Sequence, residues 1–128
     1  MPGYTMINLM EIENLGADRA PGFEARIARS HLDSEHLGVS FFRYPPKVRS
    51  QFGHSHREQE EAYVVIEGSG RMRLGDDVID LKQWDVIRVA PSTVRAIEGG
   101  PEGLGFIAIG SDRPEGGDGE RHENFWSD

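Results

Sequence analysis

Apolar and polar positions along this chain do not recur at helical spacing over as many as three turns. They fall into short runs that alternate with period two, or that gather β-branched and aromatic residues, separated by Gly, Pro and Asp. The pattern predicts strands near Met6–Met10, Phe23–Ala28, Val39–Tyr44, Val48–His56, Ala62–Glu67, Gly70–Leu74, Val78–Leu81, Val86–Val89, Thr93–Glu98 and Leu104–Ile109. Turn signals stand between them at Pro45-Pro46, Gly68-Ser69-Gly70, Gly75-Asp76-Asp77, Ala90-Pro91-Ser92 and Gly99-Gly100-Pro101. Leu74 to Val78 reads as a tight hairpin, and a helical turn is expected within His31 to Leu37. In Arg71-Met72-Arg73-Leu74 the arginines are expected to face water, and Met72 and Leu74 the core. Val86 to Val89 is apolar on both faces except at Arg88, the mark of a more central strand. Many short strands at this spacing predict an all-β sandwich or closed barrel.

The length of 128 residues fits one domain. Residues 1–111 are expected to form the barrel with its N-terminal strands, and 112–128 an acidic, Gly-rich C-terminal tail. Ser111 to Gly119 reads as a linker, with Phe125-Trp126 as an anchor on the barrel or on a second subunit. The net charge of −8 repels phosphate backbones, so nucleic acid is not an expected partner. No cysteine is present, which excludes disulfides and thiolate metal sites. The longest apolar run, Ala62 to Ile66, is too short to span a bilayer, and no basic segment precedes an apolar run at the N-terminus. The expectation is a cytoplasmic protein without a membrane partner.

Candidate chemistry concentrates in Gly53-His54-Ser55-His56-Arg57-Glu58-Gln59-Glu60-Glu61. On a strand, His54 and His56 project from one face and Ser55 from the other. A polar turn through Arg57 to Glu60 would return the next strand antiparallel and set Glu61 alongside. Two neutral nitrogens and one carboxylate oxygen suit a divalent transition metal, Mn, Fe, Ni, Co or Zn, with positions left for water or substrate. Two histidines near acidic residues can equally be surface or satisfied core residues. The sequel from Glu61 through an apolar strand to Gly68 favours the metal reading.

That pattern resembles the first motif of the cupin superfamily: His54-Ser-His56, four residues, Glu61, six residues and Gly68 match in spacing and identity. The motif's leading glycine would fall at Val48 and is absent. Aligned on the second family motif, Trp84 stands for a glycine, Ala90 for the proline, Ser92 for the second glycine and Gly99 for the asparagine. Arg95 falls where the family's last metal-binding histidine belongs. The resemblance covers roughly residues 38 to 110. It implies a double-stranded β-helix, the jelly-roll cupin barrel, with a site in its mouth and often a homodimer. It further implies a small metal-binding protein, dioxygenase- or isomerase-like if an enzyme, acting on a small and anionic organic molecule. The alternative is a metal-free small-molecule binding or sensing barrel with Arg95 as anion hook.

Arginine has five donors and no acceptor, so Arg95 cannot ligate a metal. The site could keep metal on three protein ligands, exchange it for a Glu61–Arg95 ion pair, or use Arg95 to receive a carboxylate. Arg95 could also turn to solvent; its parity with Thr93 and Ile97 predicts that it faces the pocket. Tyr63 and Trp84 read as core or rim packing, with Tyr63 and Arg95 the candidates to line a substrate. Glu58, Gln59 and Glu60 read as a solvated turn, His31 and His36 as surface residues, and His122 as a replacement ligand should the tail fold over the mouth.

Overall fold

Two long strands organise the molecule. The computed structural model describes residues 3–128, with β1 (Glu24–Ile27), α1 (Arg29–Leu32), β2 (Gly38–Tyr44), β3 (Gly53–His56), β4 (Glu61–Leu74), β5 (Asp77–Lys82), β6 (Val86–Val89), β7 (Arg95–Gly110) and β8 (Gly119–His122). β4 and β7 pair antiparallel along nearly their whole lengths. β1-β2-β7-β3-β8 extends to one side, while β4 carries β5 on one end and β6 on the other. The sheet curls on itself and packs its inner face into one core. Tyr63, Val65, Met72, Leu81, Val89, Leu104 and Phe106 are buried there. Each such side chain stabilises the fold by roughly 1.5–3 kcal/mol on transfer from water.

The glycine clusters expected to reverse the chain do something else. Gly68-Ser69-Gly70 lies inside β4 and Gly99-Gly100-Pro101 inside β7, and the two strands resume pairing beyond Gly100 to Gly103, which bulge out of the β4 register. Their register slips between Val65 and Glu67 and again between Gly68 and Gly70. Such bulges bend and twist a strand pair, here carrying it from one half of the barrel to the other. Gly68 has φ of +71°, and a side chain there would run into the carbonyl of Gly103. Gly75-Asp76 does reverse the chain, as a two-residue hairpin between Leu74 and Asp77.

β6, expected to be more central, is an edge strand that pairs with β4 alone among the described residues, and two further strand assignments need correction. Met6–Met10 is not a strand: Leu9–Glu11 forms a 3-10 turn capped by the Asn8 side chain, and Met6 faces solvent. The neighbouring edge at β1 is already occupied, because Asn14 bonds the backbone of Phe23 and Ala25 and Leu15 donates to the Ala25 carbonyl. Of Val48–His56 only Gly53–His56 is strand. Pro45-Pro46 and the left-handed Lys47 turn the chain, and Arg49 makes a single bridge to Glu98.

The tail is structured. β8 pairs antiparallel with β3, and Trp126 donates its indole N–H to the Ser50 carbonyl at 3.1 Å beneath the Arg49 guanidinium. Phe125 lies against Arg73. No helix among the described residues is long and apolar enough to cross a membrane.

Candidate functional site

The short strand Gly-His-Ser-His alternates buried and half-buried positions, and its two histidines share the inner face. Their rings meet edge to face, with centroids 5.2 Å apart. Glu61 opens β4 and points at them, with Oε1 3.6 Å from His54 Nε2 and 3.3 Å from His56 Nε2. One ligand atom from each of the three lies within 4.8 Å of the others. Residue 57 onward supplies the expected return, but Gln59 is buried, its amide donating to the Ser111 carbonyl, so that turn is only partly solvated.

Arg95 is the first residue of β7, and its Cα pairs with that of His54. Its side chain has no exposure at all. Nη2 donates to Glu61 Oε1 at 2.6 Å and Nε to the Tyr63 hydroxyl at 3.3 Å. Nη1 is held by the carbonyls of Thr93, Pro91 and Ala90. Tyr63 donates its hydroxyl to the same Glu61 oxygen at 2.7 Å. Tyr63 and Glu61 sit two apart on one strand face, which is why they meet. Burial pushes the Glu61 carboxyl upward, but the neighbouring His54, His56, Tyr63 and Arg95 outweigh it and hold the group far below the usual carboxylate range. Burial, then the neighbouring Glu61 charge, push the Tyr63 hydroxyl up, so it stays protonated.

His56 has a second carboxylate behind it that neither strand parity nor motif spacing points to. Asp118, from the tail, takes His56 Nδ1 at 2.8 Å on Oδ1 and the backbone N–H groups of Glu58 and Gln59 on Oδ2. Burial raises the Asp118 pKa, yet those two N–H groups and His56 bring it down to about 2. When the ring is neutral and Nδ1–H donates to Asp118, the Nε2 lone pair is the one that faces Glu61. That nitrogen is buried and has no hydrogen-bond partner; its contact with Glu61 is close but not aligned as a hydrogen bond. An imidazole oriented by a carboxylate, with its other nitrogen unsatisfied, is the arrangement that metal-ligating histidines show. The donor set therefore fits a divalent ion, and His54, His56 and Glu61 could hold one. Asp118→Asn is expected to weaken metal binding about 10–100-fold, the usual scale for such outer partners. Competition with a metallochromic dye would measure it, and an unchanged affinity would contradict this role of Asp118.

The other histidines lie elsewhere. His122 bonds Ser55 on the outer face of β3, so it is no replacement ligand; His31 pairs with Glu13 and His36 with Asp112 on the surface. Two cavities of about 210 and 200 Å³ meet at the site, both lined by Phe42, His54, Glu61 and Ala108. Tyr63 and Arg95 line the first.

No protein-family model matches the chain. Among curated proteins, it is 38% identical over 45 residues to an uncharacterized protein of Methanocaldococcus jannaschii, a match spanning 35% of this chain and 36% of that one. Among solved structures, a cupin protein of Bacteroides fragilis matches with a TM-score of 0.74 and 23% identity, over 89% of this chain and 88% of that one. A sugar phosphate isomerase from a cupin superfamily, of Silicibacter pomeroyi, matches with a TM-score of 0.71 and 17% identity, over 86% and 77%. A variant oxalate decarboxylase of Bacillus subtilis matches with a TM-score of 0.74 and 22% identity, over 88% of this chain but 30% of that one. This chain shares the double-stranded β-helix fold of these cupin structures.

Proposed function

We propose that this protein is a small-molecule-binding cupin in which His54, His56 and Glu61 hold a divalent transition metal ion where the two cavities meet. The observation that carries this reading is the buried, partnerless Nε2 of His56, aimed at Glu61 while Asp118 fixes the other ring nitrogen. An ion bound there supplies Lewis acidity, which suits isomerase- or dioxygenase-like chemistry on a small organic molecule. Tyr63 acts as a fixed hydroxyl donor. Arg95 locks the Glu61 carboxylate in place. Protein purified without an affinity tag is expected to carry close to one transition metal ion per chain by elemental analysis, and less after Glu61→Gln.

A metal-free barrel is the competing reading, favoured by the 2.6 Å Arg95–Glu61 contact. A permanent cation already neutralises the only carboxylate among the three candidate ligands. Under that reading, purified protein carries no metal and none can be loaded.

A second copy of the chain is the proposed macromolecular partner. Val39, Val64, Val86, Ile107 and Ile109 stand on neighbouring strands, opposite in parity to the buried Tyr63, Phe106 and Ala108. Val86 is 66% exposed in the single chain. An apolar sheet face of this kind is a liability unless covered. Light scattering is expected to show a dimer, and Val86→Glu a shift toward monomer. A wild-type monomer at high concentration would contradict the assignment. Phe125 and Trp126, packed on their own barrel, are not required for it.

A further inference from the structure

The chain carries 22 Asp and Glu against 14 Lys and Arg, yet the lining of the two cavities at the site reverses that balance. Arg19 and Arg95 line the larger one, Arg29 and Arg113 the other, and Glu61 is the one carboxylate lining either. Arg95 neutralises Glu61. Neither Arg19, Arg29 nor Arg113 forms an ion pair with any carboxylate among the described residues. The cavity linings therefore carry positive charge without a paired carboxylate, much of it at the exposed rim, before any metal adds to it.

Arg19 is the best placed of these cations. It lies in the loop before β1, at the exposed rim of the larger cavity. Its guanidinium sits 4.2 Å over the Phe23 ring, and Phe23 is itself buried against Tyr44 at 4.7 Å between centroids. Stacking fixes the plane of the fork without consuming its N–H groups. Arg19 is also close enough to the Tyr44 hydroxyl to oppose the rise that burial imposes on it. Beyond this rim the cavity is walled by Phe42, Tyr44, Tyr63 and Phe106, whose rings pack at 5.4 to 5.9 Å. A volume of about 210 Å³ lies below the roughly 300–1,000 Å³ of clefts for drug-sized ligands.

We infer that this cavity takes a small monoanionic carboxylate with a flat, apolar body, its carboxylate received by Arg19 at the rim and its body inserted among the aromatic rings toward His54 and Glu61. The inference rests on the small-molecule part of the reading above and not on the metal. A neutral analogue keeps the apolar contacts and loses the paired hydrogen bonds. A cationic analogue meets like charge.

Benzoate, benzyl alcohol and benzylamine serve as probes, followed by backbone amide shifts in the NMR spectrum, with EDTA present throughout. Benzoate is expected to shift amides around Tyr44, Ser50 and Ile97, and to bind about tenfold or more tightly than benzyl alcohol. Benzylamine is expected to leave the spectrum unchanged. Arg19→Gln should cost benzoate about tenfold and leave benzyl alcohol where it was. Lys82→Gln, which removes a charge far from the cavity, should cost nothing. Equal binding of benzoate and benzyl alcohol, no benzoate binding, or wild-type benzoate affinity in Arg19→Gln would each overturn the inference. So would a loss confined to Arg113→Gln, which would place the anion in the other cavity. Because EDTA is present, these results stand whether or not the metal reading holds.

Discussion

Replacing Arg95 with methionine is expected to lower the unfolding free energy by about 3–5 kcal/mol, the usual scale for breaking a buried ion pair from one side. The arginine is fully buried, and its N–H groups satisfy Glu61, Tyr63 and three carbonyls in the segment from Ala90 to Thr93. Methionine fills similar volume but leaves a carboxylate with a raised desolvation cost and three acceptors short of donors. Urea denaturation, read as a midpoint change at constant slope, measures the loss. Adding Glu61→Gln to Arg95→Met should recover part of it, since the uncompensated charge is then gone. A loss of under about 1 kcal/mol would mean that the ion pair is not the keystone of this end of the barrel.

The largest expected change in ligand binding comes from Arg95→His. In wild type, a divalent ion held by Glu61 has a permanent cation a few ångströms away. At an effective dielectric of about 20, that opposition is about 3 kcal/mol for each unit of ion charge at 5 Å, or at least a hundredfold in affinity. Histidine removes the charge and offers a nitrogen at the register position opposite His54. Metal affinity is therefore expected to rise by a hundredfold or more. Metal should also restore much of the stability lost with the arginine, by binding only the folded chain. Titration of wild type and variant side by side checks both. Equal affinities would show that Arg95 does not govern the metal.

Much of this fold was legible in the sequence because period two writes itself into any sheet with one dry face. Tyr63, Val65 and Met72 announce the inner face of β4, and Arg71 and Arg73 its outer face. Glycine clusters were harder to read. A bulge and a reversal use the same residues, and only long-range pairing decides between them, so β4 and β7 each looked like two strands. Met6–Met10 failed for the complementary reason: its alternation fits a strand, but the adjoining edge is taken by Asn14 and Leu15. At the site, His54, His56 and Glu61 are close in sequence, and strand parity alone sets them on one face. Arg95 followed from parity as well. Asp118 was illegible, because it lies 62 positions from His56 in a stretch of Gly, Pro and charge that shows no periodicity. Arg19 was illegible too; nothing in the sequence distinguishes it from other loop arginines until Phe23 is seen beneath it.

Calorimetric titration of Mn²⁺ and Zn²⁺ into metal-stripped, untagged protein tests whether His54, His56 and Glu61 hold an ion. The Glu61 carboxylate beside His56 holds its pKa above the usual 6.5, against the effect of burial and with help from Asp118. A metal ion binds only the neutral ring, so it must displace that proton when the pH is below the raised value. One ion per chain is expected, with an affinity that climbs with pH, by up to about tenfold per unit, until the His56 pKa is passed. Proton release, read from the dependence of heat on buffer, should approach one per ion on the acid side. His56→Ala should abolish the binding. Absence of saturable heat with either metal, or binding that survives His56→Ala undiminished, would contradict the proposed metal site.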